Sequence, residues 1–181
     1  EGKRLVEKCT DSDDAYNHYL QGRTFFARRI GDNLPKAIES FRKATDLDPG
    51  FARAWGAMAQ AQVLLPSYIP STDSTVIYQE AKALAEKTLA IDPAQESAHA
   101  VLGMILLQER QYLKMEEAYQ KALAQDAQEM TTPQWYAQGL LAVGRLKKAE
   151  RILSNVVALD PLAIMGVHFL SLAQWMRGNN E

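Results

Sequence analysis

Three times in this chain a helix-like run carrying small residues stops at Asp-Pro, and a second helix-like run begins. The stretches are "KATDLDPGFARAW" at 43–55, "KTLAIDPAQESAH" at 87–99 and "NVVALDPLAIMGV" at 155–167. Proline disfavours helical geometry in the residue before it, so the first run must end there. Its fixed φ and missing N–H are tolerated where the next helix starts. Each Asp-Pro is therefore punctuation between helices, and a catalytic aspartate is not expected at three equivalent turns. Pro161 lies 34 residues from Ala127, Ala127 lies 34 from Pro93, and Pro93 lies 44 from Pro49. The ten extra residues fall in "PSYIPSTDST", 66–75, which reads as a loop. A constant period of this size marks stacked repeats of one small helical unit.

Placed on that period, second helices run near 33–47, 75–91, 111–125 and 146–159. They carry Ala37-Phe41-Ala44, Ala81-Ala85-Thr88, Met115-Tyr119-Ala122 and Ala149-Leu153-Val156, each set spaced four then three and so on one helix face. First helices run near 13–29, 51–65, 95–109, 132–144 and 162–177, with Gly22, Ala59, Gly103, Ala137 and Ser171 where a neighbouring backbone approaches. Helix axes come within about 8–10 Å where small side chains admit a neighbour's ridge. A helix of about 14 residues is marginal alone, so stability has to come from hairpin stacking on hairpin. The expected fold is all-α, a right-handed α-solenoid of about four and a half helix-turn-helix repeats. Residues 1–12 read as an N-terminal arm and 13–181 as the array, with repeats 13–49, 50–93, 94–127 and 128–161 and a partial one at 162–181.

Composition narrows the function classes. A net charge of −2 over 181 residues offers no general basic field for nucleic acid. The most apolar stretch, 154–175, is interrupted by Asp160 and Pro161, so no transmembrane span is expected. The opening "EGKRLVEKC" lacks an initiator methionine and an apolar signal core, and reads as the start of a piece of a longer protein. The single Cys9 has no basic or His neighbour to activate it and reads as a bystander. Compartment is left open.

No phosphate-binding glycine loop, metal-ligand spacing or nucleophile elbow is present, so neither cofactor nor catalysis is expected. His18, His99 and His168 fall at nearly the same place in a first helix, which reads as a shared packing or lining role. Glu116 and Glu117 are adjacent, point to different sides of a helix and read as solvated. The run "RLKKAER" gathers Arg145, Lys147, Lys148 and Arg151, either as a basic docking patch or as a solvated outer face.

These residues resemble the tetratricopeptide repeat, whose pattern is W-x2-L-G-x2-Y, then A-x3-F, then P. Repeat one offers Gly22, Phe25, Ala37, Phe41, Ala44 and Pro49; repeat two Trp55, Met58, Ala59, Ala81, Ala85 and Pro93. Repeat three offers Leu102, Gly103, Leu106, Tyr119 and Ala122, with Met115 at the small position and Ala127 for proline. Repeat four offers Tyr136, Ala137, Leu140, Gly144, Ala149, Leu153 and Pro161. A narrower resemblance rests on "AYNHYLQGR", "KAIESFRKATDLDPGFARAWGAMAQAQ" and "QWYAQGLLAVGRLKKAE". They look like the repeat array found behind bacterial adenylate cyclase, winged-helix regulator or Ser/Thr kinase domains.

The resemblance implies a non-catalytic protein-interaction scaffold, or the regulatory module of a larger bacterial signalling protein. It also implies that first helices line a concave groove for a protein or peptide partner. By that implication Tyr16, Tyr19, Arg23 and Phe26 line the groove from repeat one, and Arg53, Gln60, Met104, Leu107 and Gln108 from repeats two and three. Gln134, Gln138, Leu141, His168, Leu172 and Trp175 continue it. Aromatic residues and arginine dominate binding energy at interfaces, but the same side chains also serve as packing between helices, and both readings stand. The carboxylate clamp of chaperone-type relatives finds only Arg23 among Tyr19, Arg23, Ala57, Ser97 and Val101. The helix at 162–177, with a turn expected at Gly178-Asn179, carries so many apolar residues that self-association through it is the alternative function. A small-molecule sensor would need a closed pocket between 66–75 and the groove.

Overall fold

A computed structural model describes residues 10–28, 31–69, 73–125 and 130–178. Cys9, Ala127, Asn179 and the centre of the 66–75 insertion lie outside the described residues. Among the described residues every element is an α-helix. They are α1 (Asp13–Arg28), α2 (Asn33–Leu47), α3 (Ala52–Tyr68), α4 (Ser74–Ile91), α5 (Glu96–Gln108), α6 (Tyr112–Gln125), α7 (Thr131–Ala142), α8 (Leu146–Leu159) and α9 (Ile164–Gly178). No described helix is long and apolar enough to cross a membrane. The chain divides into two compact units, up to Val101 and from Leu102.

In the N-terminal unit α1 packs on α2, α2 on α3 and α3 on α4, with α1 also meeting α3. In the C-terminal unit α6, α7, α8 and α9 pack in the same succession, and α7 meets α9. All twelve stripe residues of the second helices, from Ala37 to Val156, are at most 2% exposed. The glycines opposite them explain the close fit. A Cβ on Gly22 would lie 2.5 Å from the Phe41 ring, and one on Gly139 2.6 Å from the Met115 sulfur.

The three Asp-Pro turns are built alike. Asp48, Asp92 and Asp160 take extended geometry (φ −137, −136 and −134°), as a residue before proline should. Each N–H closes the preceding helix, onto Ala44, Thr88 and Val156. Each carboxylate oxygen then accepts the backbone N–H two residues on, from Gly50 (2.9 Å), Ala94 (3.0 Å) and Leu162 (3.1 Å). This Asx turn accounts for aspartate at the position. Six residues past the proline, Trp55 Nε1 donates to the Pro49 carbonyl, and His99 Nε2 lies 3.0 Å from the Pro93 carbonyl. A carbonyl only accepts, so in this contact His99 Nε2 is the donor. The shared role expected of the histidines does not extend further: His168 is one position beyond its equivalent and exposed, edge-on to Phe169.

The hairpin turns inside the repeats show where the chain is strained. Gly144 closes α7 with φ +76°, and Arg145 N–H reaches back to the Leu140 carbonyl at 2.9 Å. Thirty-four residues earlier Arg110 does the same for α5 with φ +59°, and Gln111 N–H reaches Leu106 at 2.9 Å. The left-handed region costs a residue with a Cβ about 1 kcal/mol, which glycine avoids. Arg110→Gly is expected to stabilise the protein by about 0.5–1 kcal/mol, the glycine's larger unfolded-state entropy taking back part of the gain. A raised denaturant midpoint is the readout; an unchanged or lowered one contradicts the strain.

Three local expectations are corrected. The insertion is not loop from residue 66: α3 continues through Pro66 to Tyr68, and Ile69 N–H still bonds to Leu65 at 2.8 Å. Burial of Val63, Leu64 and Leu65 outweighs the bias that proline places on its neighbour. Ser171 is exposed; α9 turns Gly166 and Ala173 to the interior instead, and a Cβ on Gly166 would lie 3.1 Å from Val156. Gly178 belongs to α9 rather than to a turn.

Candidate functional site

Helix α1 starts where Ser12 accepts the Ala15 N–H at 3.2 Å, and Thr10 ties the segment before it to Asp48. Spacings of three and four then put Tyr16, Tyr19, Arg23 and Phe26 on one face. Tyr19 is 5% exposed, its ring 5.1 Å from that of Phe51 and 6.0 Å from that of Phe41. Its hydroxyl accepts from Arg23 Nη1 at 3.0 Å, and the guanidinium lies 5.9 Å from the ring centre. Tyr16, half-buried, sits 6.2 Å from Tyr19. The result is a cluster that presents Arg23 and part of Tyr16 to solvent, beside the buried Tyr19. Phe26 is buried.

The other expected lining residues are spread over several helices. Arg53 is exposed on α3, whereas Gln60 is buried. Met104 and Leu107 are half-buried on α5 and Gln108 is exposed. On α7, Gln134 and Gln138 are half-buried and Leu141 is buried. On α9, Leu172 is half-buried while His168 and Trp175 are exposed. Tyr19, Phe26, Gln60 and Leu141 thus pack between helices in this structure.

The N-terminal unit also holds an open, mostly apolar cleft of about 530 Å³, to which no sequence expectation pointed. Helix α2 contributes Ile38, Arg42 and Asp46, and α3 contributes Trp55, Met58 and Gln62. Helix α4 completes it with Glu80, Ala83, Leu84 and Lys87. Trp55 is held twice, by its bond to Pro49 and by Lys87 Nζ 3.4 Å from its ring centre. Gln62 donates to Glu80 at 2.5 Å. Each helix supplies a three-to-four-residue stripe, a signal legible only once α2 and α4 are known to flank α3.

In the C-terminal unit Glu116 corrects the expectation of a solvated carboxylate. Its side chain is 15% exposed and accepts from Tyr136 Oη (2.8 Å), Arg145 Nη1 (2.7 Å) and Lys148 Nζ (2.5 Å). One carboxylate so joins α6 to α7 and to the start of α8. The Lys148 hydrogen bond, then that of Tyr136, holds the Glu116 carboxyl below its usual range, and Glu116 raises Lys148 in return. Burial pushes the Tyr136 hydroxyl up. Two cations of the 145–151 run are therefore engaged internally, which leaves Lys147 and Arg151 exposed. Glu150 of the same helix pairs with Arg177 of α9.

Residues 96–129 match the family model described as tetratricopeptide repeat, in register with the third repeat. Comparison of the sequence with curated proteins finds no match. Among solved structures, a thermophilic tetratricopeptide-repeat protein of Thermus thermophilus superposes with a TM-score of 0.70 at 18% identity, covering 90% of this chain and 82% of that one. YrrB, described as a tetratricopeptide-repeat protein with an unusual peptide-binding site, gives 0.52 at 20% identity over 93% and 80%. MamA gives 0.53 at 15% identity over 91% and 83%. The chain thus carries one matched tetratricopeptide repeat within an all-α fold like that of solved tetratricopeptide-repeat proteins.

Proposed function

We propose that this chain is a non-catalytic interaction module that holds a peptide or partner protein against its first helices. Its signalling role, as the regulatory portion of a larger bacterial protein, rests on the resemblance of 15–23, 36–62 and 134–150 to such arrays. The observation that carries the reading is the Tyr16–Tyr19–Arg23 cluster. Aromatic residues and arginine are the side chains that most often anchor interfaces. Here Arg23 bonds to the buried Tyr19 and Tyr16 stands beside it, so the three side chains are already gathered on one face of α1. That a protein of similar fold is described as peptide-binding is in keeping with the reading. Peptides selected from a random display library against the whole chain are the test. Arg23→Ala and Tyr16→Ala are each expected to weaken the selected peptides about tenfold or more. Binders indifferent to both substitutions would place the site elsewhere.

The second reading is self-association through 162–177. Leu162 and Ile164 are 87% and 81% exposed and Trp175 is 68% exposed, an apolar surface of the sort that marks interaction sites.

A further inference from the structure

Charge is unevenly shared between the helices of the N-terminal unit. On α2 the ions neutralise one another: Lys36 pairs with Asp32 just before the helix, and Arg42 and Lys43 pair with Glu39. Both signs also alternate along α4, as Glu80, Lys82, Glu86 and Lys87. The first helices differ. Beyond its first turn α1 carries Arg23 and Arg28 and no acid, and α3 carries Arg53 and no acid along its whole length.

These arginines are exposed. Arg23 has a neutral hydroxyl and ring for partners, both of Tyr19, and among the described residues neither Arg23 nor Arg53 pairs with a carboxylate. A guanidinium has more N–H donors than one hydroxyl can take up, and its planar fork fits both oxygens of a carboxylate. The two helices meet: α1 packs against α3, and the Tyr19 ring lies 5.1 Å from that of Phe51, two residues before Arg53. Apolar surface adjoins the charge. Tyr16, Leu20 and Arg23 follow one another at spacings of four and three on one face of α1, with Leu20 44% exposed. A carboxylate bound beside them sheds part of its water, which strengthens its attraction to the arginine.

We infer that the partner held by α1 presents an acidic side chain, Asp or Glu, to Arg23, next to an apolar residue that covers Tyr16 and Leu20. Arg53 supplies a second, longer-range attraction. The inference rests on the peptide-binding reading and names the chemistry of the peptide.

Peptides selected against the whole chain, remade as C-terminal amides, carry negative charge on side chains alone. They are expected to share an Asp or Glu next to an aromatic or aliphatic residue, and to bind several-fold more weakly when salt rises from about 50 to about 500 mM. Exchange of that acid for its amide should weaken binding to the unaltered chain about tenfold. Against Arg23→Gln the same exchange should cost about twofold or less, because the partner of the lost charge is already gone. Arg53→Gln should keep the tenfold effect of the exchange while lowering affinity about twofold. Both substitutions are at exposed positions, and circular dichroism checks that the variants fold. Peptides that need Arg23 and Tyr16 yet contain no acid, or an exchange that weakens binding to the unaltered chain and to Arg23→Gln equally, overturn this inference and leave the peptide-binding reading standing. A selection without binders, or with binders indifferent to Arg23→Ala and Tyr16→Ala, overturns both.

Discussion

Gly103→Val is expected to destabilise the C-terminal unit by about 2 kcal/mol, within the 1–3 kcal/mol typical of overpacked cores. A Cβ at 103 would meet Tyr119 Cζ at 2.9 Å and both ε carbons at 3.0 Å. The ring has no room to retreat: it is fully buried, with the tilted Tyr136 ring centred 5.4 Å away. Glycine's poor helix propensity works the other way, but valine recovers less than the roughly 1 kcal/mol that alanine would. The melting temperature should fall by about 5 °C or more for a chain of this size. Shortening the opposing ring in Tyr119→Leu should make the double variant more stable than the sum of the single effects, because the clash disappears with the ring. Strict additivity, or a Gly103→Val variant as stable as the parent, would show that the two helices have room to part.

Glu116→Ala is the second large effect, about 1–3 kcal/mol from the loss of charge-assisted hydrogen bonds to Tyr136 and Lys148. Arg145 is half exposed and adds little of this. Lys148→Met should cost less, since Glu116 keeps two donors. The pH dependence follows from the directions of the shifts. The carboxyl is held below its ordinary 4.5, so its contribution is complete above 4.5 and fades as pH falls through the lower folded value. Lys148 is raised above its ordinary 10.5, so its share is complete below 10.5 and is lost as pH rises through the folded value. Denaturant midpoints of parent and Glu116→Ala should therefore lie furthest apart between these limits and converge in acid. A gap that persists unchanged in acid would mean that the alanine acts through lost packing rather than through charge.

The architecture was legible because it is written in short-range spacing. Four-and-three stripes and recurrent Asp-Pro placed α2 and α8 at their observed bounds and the other helices within a few residues. Departures came where the surrounding structure outweighed a local preference. Pro66 stays helical because three apolar residues before it are buried, and Arg110 takes a glycine's conformation because its hairpin turn has the geometry that Gly144 supplies one repeat later. Glu116 looked solvated because its partners lie 20, 29 and 32 residues away. Of the expected lining residues, Tyr16, Tyr19 and Arg23 are joined by ring and hydrogen-bond contacts, and as neighbours on one helix they could be grouped from their spacing. The cleft needed three helices and had no signal of its own.

The amino-acid sequence by itself determined that this protein is a succession of short helices, where most of them begin and end, and most of the small residues on their packed faces. Those are properties of φ, of a missing N–H and of a side-chain period, all felt within a few residues. Only the tertiary structure decided which polar and aromatic side chains face inward, which meet a charge from another helix, and which stay open to a partner. Whether a side chain is desolvated depends on what packs over it, and that is set by segments tens of residues away.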